Sequence, residues 1–233
     1  MKRAPGQEGA ERLVRISTGP VTLEGNLGVP ERATGIVLFA HGSGSGRHSP
    51  RNRYVARVLR EAALATLLID LLTHQEEEID LRTRHLRFDI GLLAERLVEA
   101  TEWLTQNPDT QDLRIGYFGA STGAGAALVA AAERPKQVDA VVSRGGRPDL
   151  AGEALSRVRA PTLLIVGGND VPVINMNQEA LEQLRVEKEL KIVPGATHLF
   201  EEPGALEEVA RLAADWFVRY LCQTETGRAT TSK

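Results

Sequence analysis

The chain has 233 residues, 42% hydrophobic and 25% charged, a composition that excludes fibrous and disordered classes. Its 28 basic and 31 acidic residues leave a net charge of −3, which gives no basic footprint for nucleic acid and no polybasic membrane surface. No run approaches the roughly 18 apolar residues of a membrane span, and the charged start lacks an apolar signal core, so a cytoplasmic protein is expected. The single cysteine, Cys222, cannot close an intramolecular disulfide and reads as a small apolar residue of the last helix.

Residues 1–11 and 223–233 read as polar, flexible ends around one domain at 12–222. Within it, Leu13 to Ser17 and Val21 to Leu27 pattern as an antiparallel pair across Thr18-Gly19-Pro20. Ile36 to Ala40 is a continuous apolar run, as in a strand buried on both faces. A helix pattern covers Asn52 to Ala63, then a buried strand Leu67 to Ile69 and a long helix Ile90 to Thr105. Strand Leu113 to Phe118, helix Gly123 to Ala132 and strand Val138 to Val142 follow. A short helix near Leu150 to Val158 leads to strand Thr162 to Val166. Helix Asn175 to Leu184, strand Leu190 to Val193 and helix Leu206 to Leu221 complete the domain. Repeated β-α units with uniformly apolar strands predict an α/β fold with about eight strands, mostly parallel, and helices on both faces. Function in such sheets lies beyond the carboxyl ends of the strands.

One such end carries Gly119-Ala120-Ser121-Thr122-Gly123, between a buried strand and an Ala-rich helix. A turn this tight needs glycine where side chains would collide, and it lifts the Ser121 hydroxyl into the open. A serine nucleophile needs a base, and the base needs an orienting acid. Asp170 ends Gly167-Gly168-Asn169-Asp170 and His198 ends Gly195-Ala196-Thr197-His198, each just after a strand. The chain order Ser, Asp, His suits this architecture. The bland readings are a helix or turn cap for Asp170 and a surface loop residue for His198.

His41-Gly42-Ser43-Gly44-Ser45-Gly46 follows the strand ending at Ala40. The Ser43 amide is the expected second oxyanion donor beside the Thr122 amide at a helix N-terminus. His41 is expected to shape this loop rather than act as a base. The loop is not a nucleotide cradle, because Arg47 stands where a third glycine would be needed and no Gly-Lys-Ser/Thr run exists.

His41-Gly42-Ser43-Gly44, the pentapeptide around Ser121, Gly-Gly-Asn-Asp and Gly-Ala-Thr-His together resemble the α/β-hydrolase superfamily over about residues 12–222. The short chain and the lack of a long insertion between residues 143 and 161 resemble its dienelactone-hydrolase-like branch. That resemblance implies an eight-stranded sheet without a large cap domain, hydrolysis of carboxylic esters or lactones, and no metal or organic cofactor. Dienelactone hydrolases use a cysteine nucleophile, whereas Ser121 stands here, which favours a general carboxylesterase. Glu24 loosely matches their strand-two glutamate, although a solvated strand residue is the simpler reading.

Glu76-Glu77-Glu78 reads as a solvated loop or helix start that could border the pocket, with Arg47, Arg51, Arg53, Arg84 and Arg87 as candidate ion-pair partners. Arg144, on the catalytic side of its strand, could bind a substrate carboxylate or make a structural pair. His48, His74 and His85 lack metal-ligand spacing. Trp103 and Trp216 read as core. With few residues left for a lid, an open site for short acyl groups is expected, with a small-molecule ester as the partner. Peptidase, amidase or acyltransferase chemistry on the same triad, or a non-catalytic binding role, stays open, as does the oligomeric state.

Overall fold

A computed structural model describes residues 11–222; the two ends expected to be flexible lie almost wholly outside the described residues. The strands are β1 (Arg12–Thr18), β2 (Val21–Gly28), β3 (Gly35–Ala40), β4 (Leu64–Ile69), β5 (Arg114–Ala120), β6 (Val138–Arg144), β7 (Thr162–Gly167) and β8 (Lys188–Val193). They form one eight-stranded sheet in the order β1-β2-β4-β3-β5-β6-β7-β8. β1 and β2 are antiparallel, β2 joins β4 antiparallel, and every later pairing is parallel. The winding direction reverses between β3 and β5, and a ligand crevice forms at such a switch point.

The helices are α1 (Pro50–Glu61), α2 (His74–Thr83), α3 (Ile90–Gln106), α4 (Thr122–Glu133), α5 (Val171–Gln183) and α6 (Ala205–Leu221). Each face of the sheet carries its own core. One includes Leu38, Leu67 and Tyr117 under α3 and α4; the other includes Phe39, Phe118 and Val142 under α1 and α6. α4 packs against α3, the sheet and the segment 148–157 at once, and its run of Gly and Ala is buried on nearly all sides. Trp216 is in the second core, while Trp103 packs partly buried against the first. No helix among the described residues is long and apolar enough to cross a membrane.

Several elements differ from the sequence reading. β4 starts at Leu64 rather than Leu67, and α5 at Val171, where Pro172 suits a first turn lacking amide partners. The segment Pro148–Arg157 is a 3-10 helix interrupted at Gly152, whose φ is +51°. Cys222 caps α6 rather than lying within it.

Of the two readings of the acidic run, the helix start holds. Thr73 caps α2 through a reciprocal capping box with Glu76, and Arg84 ends the helix in left-handed backbone. The arginines do not pair with the run as expected. Glu76 meets Arg96, Arg87 meets Asp80, Arg47 meets Asp70 and Glu24, and Arg51 meets Glu201. α2 and the short turn Leu86–Phe88 form a strap along one side of the cleft, to which they give Glu77, Leu81 and Arg87. Asp80, buried to 3% exposure, ties the strap together by accepting from the Leu86 and Arg87 amides and from the Arg87 guanidinium.

Candidate active site

The turn at Ser121 is built by exclusion. A Cβ on Gly119 would lie 2.4 Å from Ala124 Cα, and one on Gly123 would lie 2.3 Å from the Ala40 carbonyl oxygen. A side chain at 119 would force β5 and α4 apart, and one at 123 would force α4 away from the end of β3. Ser121 itself has φ +50° and ψ −123°, a conformation non-glycine residues adopt only under constraint. Its amide donates to Arg144 O at 3.3 Å, and its carbonyl accepts from the amides of Ala124 and Arg147 at 3.0 Å each. These bonds hold the residue while its side chain makes no cap to α4.

Asp170 and His198 meet because the loops after β7 and β8 interlock. Asn169 donates from its backbone to Ala196 O at 2.9 Å and from its side chain to Gly195 O at 2.8 Å. Gly167 lets these loops touch: a Cβ there would lie 2.4 Å from Ala196 O. Asp170 stands at the N-cap position of α5 but does not cap it. Its Oδ2 instead lies 2.7 Å from His198 Nδ1, with 15% of the Asp170 side chain exposed and 39% of the histidine's. The neutral tautomer that donates from Nδ1 leaves Nε2 free to accept a proton. Among the described residues no hydrogen bond joins the Ser121 hydroxyl to His198. Both border the segment after β6: Ser121 bonds to Arg144 O, and a Cβ on Gly145 would lie 3.6 Å from His198 Cε1.

The loop after β3 closes the other side. A Cβ on Gly42 would lie 3.0 Å from Ser121 Cβ, so the glycine lets this loop reach the Ser121 turn. The Ser43 amide donates to Thr122 Oγ1 at 3.1 Å, and the two hydroxyls are 3.0 Å apart. The Thr122 amide opens α4. His41 is buried and bridges loops: Nε2 accepts from the Leu71 amide at 2.9 Å, and Nδ1 donates to Gly42 O at 3.0 Å. Burial lowers its pKa from the usual histidine value, outweighing the Gly42 bond and the Asp70 charge. A neutral His41 fits the loop-shaping role.

Beside these loops lies a cleft of about 1000 Å³, whose wall includes Ser43, Thr122, Arg47, Asp70, Glu77 and Leu81. Ser121, Asp170 and His198 are not in its wall, which reaches Ser121 through Gly42. Arg47 fills one side, its Nη2 2.7 Å from Glu24 and its amide 2.7 Å from Asp70. Glu24 is thus held by Arg47. The Glu77 carboxyl is pushed above its ordinary pKa by burial and then by the Asp70 charge.

The structural ion pair expected for Arg144 does not form. It is 7% exposed, its guanidinium lies 5.9 Å above the Phe200 ring, and no ion pair reaches it among the described residues. Sequence reasoning also missed the Ser43–Thr122 bond and the Asp80–Arg87 pair.

The sequence pattern of the dienelactone hydrolase family matches residues 28–221. The crystal structure of a dienelactone hydrolase from Anabaena variabilis superposes with a TM-score of 0.91 at 72% identity, covering 92% of this chain and all of that one. An esterase from Pyrococcus furiosus shares the fold at 19% identity and TM-score 0.71, over 91% of this chain and 94% of that one. A Mycobacterium tuberculosis protein named as a suggested phosphoribosyl transferase is 62% identical over 209 residues, which are 90% of this chain and 46% of that protein. The chain therefore spans about half the length of that relative. The matched span and the strand order agree: the chain belongs to the dienelactone hydrolase family of α/β-hydrolases.

Proposed function

We propose that this hydrolase cleaves small carboxylic esters or lactones through an acyl-enzyme formed on Ser121. The observation that carries the reading is the 2.7 Å bond from His198 to Asp170, near a serine held at φ +50° between strand and helix. Ser121 Oγ attacks the ester carbonyl as His198 Nε2 takes its proton, and Asp170 stabilises the imidazolium. The tetrahedral oxyanion accepts from the Thr122 and Ser43 amides, displacing the Thr122 hydroxyl from the latter. The imidazolium then protonates the leaving alkoxide, and the alcohol departs. Water, losing a proton to His198, attacks the acyl-serine; the acid leaves and Ser121 regains its proton.

The charged wall of the cleft supports short or polar substrate groups over long alkyl chains. The transferase name belongs to a relative of which this chain matches 46%. Here Arg47 is engaged by Glu24 and Asp70, which leaves the Gly-rich loop without a free cation of its own for a phosphate.

Hydrolysis of p-nitrophenyl acetate tests the reading. Ser121→Ala removes turnover, and Asp170→Asn, with the imidazole in the wrong tautomer, lowers kcat by about 10⁴-fold, as in other serine triads. Wild-type rates in either variant overturn it.

A further inference from the structure

Asn177 lies within α5 and is fully buried, at 0% exposure. Its Nδ2 donates twice, to Gly146 O at 3.0 Å and to Val173 O at 2.8 Å. The second bond stays within its own helix, whereas the first crosses to the segment after β6. Its Oδ1 is enclosed without a hydrogen-bond partner among the described residues. Packing alone does not account for an amide buried at this cost, because a leucine of similar size would fill the place with no orphaned acceptor. What the amide adds is the bond to Gly146 O.

Gly146 belongs to the stretch 144–147, which touches both halves of the reacting centre. On one side, Arg144 O accepts from the Ser121 amide at 3.3 Å, and the Arg147 amide donates to Ser121 O at 3.0 Å. On the other side, Gly145 packs against the histidine loop: a Cβ there would lie 3.1 Å from His198 O. Gly146 has no room for a side chain of its own, since a Cβ would fall 1.9 Å from Ser143 Oγ and 2.6 Å from Ala124 Cβ. Among the described residues, Asn177 supplies the one side-chain bond to the backbone of this stretch.

The helix at the other end of that bond carries the acid. Asp170 is the N-cap residue of α5, about two turns before Asn177, and its Oδ2 lies 2.7 Å from His198 Nδ1. One buried amide therefore joins the helix that bears Asp170 to the stretch that holds Ser121. Because no hydrogen bond joins the Ser121 hydroxyl to His198 among the described residues, their approach depends on how these two supports are set against each other.

We infer that Asn177 is a positioning residue: through Gly146 it fixes the distance and angle between Ser121 and the Asp170–His198 pair. It touches neither substrate nor the reacting atoms. Proton transfer from Ser121 to His198 needs hydrogen-bond reach, and a misplacement of about 1 Å costs on the order of a hundredfold in rate. This inference rests on the reading of Ser121 and His198 as the reacting pair.

A double-mutant cycle of Asn177→Leu with His198→Ala tests it, read by the rate of fluorophosphonate labelling of Ser121 and by p-nitrophenyl acetate turnover. Asn177→Leu alone is expected to lower kcat and the labelling rate by about tenfold to a hundredfold, with KM little changed. In His198→Ala there is no base left to align, so the same substitution is expected to change labelling by less than about twofold. Asn177→Ala removes the same bond without a branched side chain and is expected to give the same pattern. Urea midpoints establish that each variant is folded. Equal falls in labelling with and without His198 overturn the inference, because a general loosening of the fold acts in both backgrounds. An unchanged kcat in a folded variant overturns it too, and loss of the fold in both variants makes Asn177 a residue of stability alone. A wild-type protein that takes no label on Ser121 and cleaves no ester removes the hydrolase reading, whereas a labelled wild type with equal falls removes this inference only.

Discussion

The Ser43 amide donates to the Thr122 hydroxyl at 3.1 Å, so one proposed oxyanion donor is engaged by the side chain of the residue that supplies the other. The bond gives the half-buried Ser43 N–H a partner within the protein, and it fixes a loop whose glycines leave it otherwise free. Thr122→Val removes both contacts to Ser43 with almost no change of shape. The expected result is a roughly fivefold to tenfold fall in kcat, the size of one modest hydrogen bond, with KM little changed. Thr122→Ser restores the rate. A rise in kcat in the valine variant would show that the hydroxyl obstructs the oxyanion hole.

Ser121 stores strain. Its backbone at φ +50° and ψ −123° is one that glycine adopts freely. Ser121→Gly therefore unfolds at a higher temperature than wild type, by about 2–4 °C for about 1 kcal/mol in a domain of this size. Ser121→Ala, equally inactive, keeps the strained Cβ and gains less. Scanning calorimetry of the three proteins checks the order.

His41 makes stability fall in acid. Its folded pKa is below the ordinary 6.5, so between those values the unfolded chain binds a proton that the folded chain refuses. The contribution is fully present above the ordinary value and is lost as pH falls below it. Urea midpoints at about pH 7.5 and 5.5 should differ more for wild type than for His41→Asn, which is less stable overall but does not titrate. Equal pH dependence in the two proteins would show that His41 protonates as freely in the fold as outside it.

The parts of this fold that were legible in the sequence are those that a local pattern determines. The apolar runs of β3, β5 and β7 announce strands buried on both faces. Gly119, Ser121 and Gly123 announce a turn that only those sizes permit; the glycines before Asp170 mark a close approach of loops, and Gly195 before His198 supplies a left-handed turn. The rest depended on partners distant in sequence. The acids of α2 suggested only a helix start, because three consecutive glutamates look solvated and its buried tie through Asp80 is made to residues beyond the helix. The Arg47 bridge to Glu24 and Asp70 joins three separate loops and strands. The solitude of Arg144 is a property of everything packed around it, and no spacing encodes it.

The most direct measurement is mass spectrometry after treatment with a fluorophosphonate, with the adduct mapped to its peptide. The account predicts one adduct per chain, on Ser121, absent from Ser121→Ala and formed far more slowly in His198→Ala. A folded protein that takes no adduct, or takes it on another residue while hydrolysing esters, would contradict it.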